Sequence, residues 1–231
     1  MQRFMLARRL AGALIAAPIA LAVAPARASD HLDTPTVVAD PAADIGDLFA
    51  WTSPQARRLH LVMTIVGHRF SDRLQYAFHV DSGARFGATT ATTMIVCRFD
   101  GGSTTECWLG DADHLRGDAS GPAGLEGQRH RFRVFAGLRD DPFFNNVKGT
   151  RQALNAAALV LPTAPKDAAG CPAIDAATSK AILDRWAHTD GGPAVNTLDG
   201  WTSAALVVSV DLDAVSAGGP LLAVWAGTYK P

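Results

Sequence analysis

The chain lacks the short signatures that announce common chemistries. No serine sits in a Gly-x-Ser-x-Gly turn, no His-Glu-x-x-His helix occurs, and there is no phosphate-cradling glycine loop and no Cys-x-x-Cys pair. That silence tilts the reading away from an enzyme. Positive charge is also short, with 21 Lys and Arg against 22 Asp and Glu. Four of the arginines fall in the first 28 residues, so residues 29–231 carry 17 basic and 22 acidic groups, a balance near −5. Such a surface disfavours nucleic acids and anionic membranes. Beyond the N-terminal stretch, no apolar run approaches the roughly 20 residues that a spanning helix needs. Linker-like composition and internal repeats are missing as well, so residues 29–231 read as a single domain with room for a substantial core.

What is present begins with a leader. Arg3, Arg8 and Arg9 form a basic start, residues 10–24 are apolar, and Ala26-Arg27-Ala28 gives the small-x-small pattern of a signal cleavage site. The flanks of Arg8-Arg9 fit a twin-arginine signal poorly. Residues 1–28 are therefore expected to be a signal peptide, and the product periplasmic or secreted. Cleavage after Ala28 would begin the mature chain with Ser29-Asp30-His31. The free amine, two amide nitrogens and the His31 imidazole could then supply four nitrogens in one plane, a geometry suited to Cu(II) or Ni(II). Cleavage after Ala24-Pro25-Ala26 would instead leave His31 fifth and remove the motif.

Cysteine is scarce, with three in all. Cys97 and Cys107 flank Asp100-Gly101-Gly102-Ser103, a strong turn signal, and a hairpin would bring the two sulfurs together. In an oxidising compartment they are expected to bond, leaving Cys171 unpaired as a buried or dimer-linking thiol. Residues 59–66, 74–80, 130–136, 206–212 and 221–225 read as strands. In 74–80 the alternation is clear, with Tyr76, Phe78 and Val80 on one face. Residues 148–158 and 176–188 read as helices. Short strands joined by Gly, Pro and Asp turns predict a mainly β fold, an antiparallel β-sandwich or open barrel with a few short helices.

Chemistry-bearing groups cluster in a few places. The spacing of Asp40, Asp44 and Asp47 would put three carboxylates on one side of a helical turn, needing a cation or backbone amides. The alternative is that Asp44 or Asp47 caps a turn. Arg139-Asp140-Asp141-Pro142-Phe143-Phe144 suits a rigid turn. Asp111-Ala112-Asp113-His114 offers oxygen ligands to Ca2+, although a solvated turn suits it better. Arg131 and Arg133 read as solvated edge positions, His60 and His79 as structural, and His68 as a turn residue.

These segments carry a resemblance. Ser29-Asp30-His31-Leu32-Asp33-Thr34-Pro35, Asp44-Ile45-Gly46-Asp47-Leu48-Phe49-Ala50-Trp51 and Arg139-Asp140-Asp141-Pro142-Phe143-Phe144 are similar to stretches of a secreted bacterial family, domain of unknown function 4331. The Val195-Asn196 loop is similar to a fourth shared patch. Leu32 and Asp33 stand where that family has arginine and glutamate, and Asn145-Asn146 where an acidic residue is often found. The resemblance implies an exported compartment and a β-rich fold, but no reaction. The leading expectation is a small-ligand or divalent-metal-binding protein with a polar site near the mature N-terminus. That site would be formed by His31, Asp33, Asp47, Asp140, Asp141 and Asn196, around Cu, Ni or Ca. One rival is a hydrolase with His31 as general base, oriented by Asp33 or Asp141. The other is a non-catalytic surface or assembly module.

Overall fold

The computed structural model describes residues 31–231 apart from Pro54 and Ala56. The leader, the cleavage site and the Ser29 and Asp30 of the amine-terminal motif lie outside the described residues. In chain order, α1 (Pro35–Ala39) is followed by β1 (Ile45–Ser53), β2 (Arg58–Ile65), β3 (Gln75–Gly83), β4 (Ala91–Phe99) and β5 (Thr104–Leu109). Then come β6 (Asp113–Asp118), β7 (Leu125–Glu126), β8 (Phe132–Asp140), α2 (Val147–Val160) and α3 (Ala176–Trp186). The last elements are β9 (His188–Thr189), β10 (Gly192–Pro193), β11 (Thr202–Asp211), α4 (Leu212–Val215) and β12 (Leu221–Tyr229).

Two five-stranded antiparallel sheets, in the orders β1-β2-β11-β8-β7 and β12-β3-β4-β5-β6, pack face to face, so the fold is a β-sandwich. Period-two alternation builds the core. Leu59, Leu61, Met63 and Ile65 of β2, Phe132 and Val134 of β8, and Leu206, Val208 and Val210 of β11 supply one layer. Tyr76, Phe78 and Val80 of β3, with Ile95 and Leu109, supply the other. Burial of such side chains contributes about 1.5–3 kcal/mol each.

Tyr76 is fully buried, and its polar end is satisfied there. Its hydroxyl donates to the Ala42 carbonyl at 2.9 Å and accepts from the Ser71 N–H at 2.8 Å. Burial pushes its phenol up to about 12. Cys97 and Cys107 stand opposite each other on β4 and β5 and form the expected disulfide, while Cys171 is free and exposed. No described helix is long and apolar enough to cross a membrane.

Candidate functional site

The site residues gather on the outer face of the sheet that contains β1 and β2. Asp47 owes its direction to a bulge. Ile45 pairs with Ile65 and Leu48 with Met63, so Gly46 and Asp47 together oppose Thr64. Ile45 and Leu48 both pack on the core. Strict alternation from Ile45 would turn Asp47 inward; the extra residue turns it outward, as bulges do at the rims of sheets. Thr64 fixes the bulge, its hydroxyl oxygen accepting the Asp47 N–H at 2.8 Å. Asp40, Asp44 and Asp47 therefore do not share a helical turn. Asp40 is the C-cap of α1 and faces Arg73 at 3.4 Å, while Asp44 ends the 3-10 turn Pro41–Ala43.

Asp44 is buried and organises the start of the described chain. One carboxylate oxygen accepts the Leu32 N–H at 2.7 Å, and the other lies 3.5 Å from His31 Nδ1. The carboxylate that meets His31 is thus Asp44. Asp33, named as its possible orienter, is exposed in the segment that leads to α1.

Asp141 arrives from the far side of the sheet. Its N–H extends the β8–β11 pairing by donating to the Trp201 carbonyl at 2.9 Å, and its carboxylate accepts the Phe143 N–H at 2.9 Å. The turn that follows carries Phe143 over to β1, with its ring 6.1 Å from that of Phe49. Trp201 also contacts His68, centroid to centroid at 5.1 Å. The result is felt at Asp47. Burial pushes its carboxyl up, the Asp141 charge pushes it further, and His31 and the Thr64 hydroxyl pull it back only in part.

His31, Asp47 and Asp141 are therefore brought within electrostatic reach of one another. Asp140 is the last residue of β8, opposite Thr202, and alternation sends its side chain to the other face from Asp141. Asn196 is committed to the scaffold, its Oδ1 accepting from the Asn145 N–H at 2.9 Å and the Leu198 N–H at 3.1 Å. It holds the 143–146 turn in place. Among the described residues, no group of three or more His, Cys, Asp and Glu side chains is arranged to hold a metal ion.

Two carboxylates have roles other than those their sequence context suggested. Asp113, expected in a solvated turn, is buried, and accepts the N–H groups of His114, Arg129 and Arg131 at 2.8–2.9 Å. Arg131, expected to be solvated, reaches Asp211 at 3.1 Å and Asp213 at 3.7 Å. A further residue escaped the sequence reading altogether. Asn146 is buried at the start of α2, with Oδ1 accepting from the Gly149 N–H and the Thr189 hydroxyl and Nδ2 donating to the Trp186 and His188 carbonyls. Its signal was an asparagine just before a helical pattern, the common N-cap arrangement. No family model, no curated protein and no solved structure matches this chain.

Proposed function

We propose that this chain is an exported binding protein that takes a small cationic ligand, organic or a divalent cation, on the outer face of the β1–β2 sheet at Asp47, Asp141 and His31. The observation that carries this reading is the convergence of Asp47 and Asp141. They come from opposite ends of the chain's linear order, and their like charges act on each other at a bulge that turns one of them out of the core. Two neighbouring carboxylates with a single imidazole nearby leave negative charge that a cation would offset. The Phe49, Phe143 and Trp201 rings beside them offer apolar contact to the rest of such a ligand. All four segments that carry the family resemblance meet here, and this supports that kinship as part of the same proposal.

A divalent ion would use these carboxylates with further oxygen ligands completing its shell, since the three side chains alone form no ready cage. Equilibrium dialysis of the purified protein against Ca2+, Cu2+, Ni2+ and the diamine putrescine tests the reading. At least one probe is expected to bind, and to be lost in Asp47→Asn and Asp141→Asn but kept in Asp33→Asn and Asp140→Asn. No binding of any probe, or binding that survives both Asp47→Asn and Asp141→Asn, sinks the site. Cu2+ held through such double replacement but lost with His31→Ala would report the amine–imidazole motif of a chain beginning at Ser29 instead.

A further inference from the structure

The outer face of the second sheet carries two indoles held in place yet left open to water. By register, Trp225 on β12 stands beside His79 on β3, and Trp108 on β5 beside Val96 on β4 and His114 on β6. Trp225 lies flat on the His79 ring, centroids 3.5 Å apart and 3° from parallel. Its Nε1–H donates to the Asp81 carboxylate at 3.3 Å, and the Tyr229 hydroxyl sits 3.1 Å from His79 Nε2. This stack makes His79 buried while Trp225 itself stays 45% exposed. Burial also holds the His79 imidazole below its ordinary value, and the Asp81 charge offsets this only in part. Trp108 lies between the Arg98 guanidinium, 5.7 Å from its ring, and the His114 ring at 5.4 Å, with His114 fixed by Glu106 at 3.0 Å.

An aromatic ring pinned from below and along its edge, with the upper face in water, is preorganised to receive something flat. Three strand spacings, about 14 Å, separate β12 from β5, so the two indoles stand well apart on one sheet surface. Between and beside them are hydrogen-bonding side chains, Asp81, Arg98 and Glu106. A protein hot spot calls for a contiguous apolar centre that excludes water. Rings alternating with charged and polar groups on a flat face match a different chemistry, that of a ligand with apolar faces and hydroxylated edges. The C–H face of a pyranose sits on the electron-rich indole, and its equatorial hydroxyls reach carboxylate and guanidinium.

We propose that this face binds a neutral oligosaccharide of pyranose units, laid across β12, β3, β4 and β5 with Trp225 and Trp108 as its two stacking platforms. The site is independent of the Asp47 site on the other sheet.

The test is calorimetric titration of the purified full chain with chitohexaose, cellohexaose and maltohexaose, followed in parallel by tryptophan fluorescence. At least one hexaose is expected to bind saturably and to shift the emission. Trp225→Ala and Trp108→Ala should each weaken it at least about tenfold. Trp51→Ala, which removes an exposed indole from the opposite sheet, should leave it unchanged. Circular dichroism and the melting midpoint report whether each variant folds. If Trp225→Ala does not, Trp225→Phe, which keeps a ring over His79 with less platform, should show partial binding. No binding of any of the three hexaoses, or binding that the folded Trp225 and Trp108 variants retain in full, overturns the proposal. A concentration-dependent dimer that Trp225→Ala dissolves overturns it too, because a second copy would then cover this face.

Discussion

At Asp113 one carboxylate closes a junction between β6 and the turn that enters β8, by accepting three backbone N–H bonds. Alanine there leaves those donors without an acceptor and should cost about 2–4 kcal/mol, read as a lower urea midpoint, with asparagine restoring part of it. Burial pushes the Asp113 carboxyl up, but the three N–H bonds outweigh it and hold the group below its ordinary 3.8. Its contribution to stability is therefore complete above that value and lost as pH falls through the folded-state value. Asp47 has the opposite sign. Its folded-state value is raised, so it is the ionised form that costs stability, increasingly as pH rises from 3.8 through the folded-state value. Asp47→Asn should raise the thermal midpoint at pH 7 and leave it unchanged at pH 3, where both side chains are neutral. A midpoint lowered at pH 7 would show that the carboxylates do not strain one another.

The bulge in β1 and the helical pair α2–α3 make contrasting elements. Gly46 is needed at the bulge because a Cβ there would lie 2.7 Å from the Thr64 hydroxyl. Gly46→Ala must push Thr64 away and redirect Asp47, and a loss of probe affinity of about threefold or more is expected, with little change in the melting midpoint. Unchanged affinity would mean that the bulge does not aim the carboxylate. In α3 no side chain is buried, and in α2 only Gly149 and Ala153 are. An 11-residue helix with so little packing gains almost nothing beyond its intrinsic propensity. Hydrogen exchange should accordingly show α3 opening well before β2, β3 and β11. Both helices were legible from the 3.6-residue pattern, and their caps Asn146 and Asp175 explain where they begin. Strand β1 was not legible, for a physical reason. The three- and four-residue spacing of Asp40, Asp44 and Asp47 imitates a helix, and the bulge removes the alternation that would have marked a strand.

Across the whole molecule, the two sheets are tied by a core with few exceptions to alternation, and by the disulfide within one of them. Reducing Cys97–Cys107 should lower stability by about 2–3 kcal/mol on the chain-entropy model. Melting with and without reductant measures this, and Cys171→Ser should melt like the parent in both conditions, because Cys171 is exposed and outside the core. The amino-acid order by itself determined the β-rich class, most of the strands, the hairpin that brings the two cysteines together and the identity of the candidate ligands. These depend on periods of two and 3.6, on turn residues and on composition, all of which act over a few neighbouring positions. Only the tertiary structure decided that the fold closes as a sandwich, that His31 meets Asp44, and that Asp141 approaches Asp47 while Asp140 turns away and Asn196 is spent on the scaffold. Those outcomes follow from the pairing of β8 with β11 and β11 with β2, and from one extra residue opposite Thr64. Such long-range register leaves no trace in local spacing.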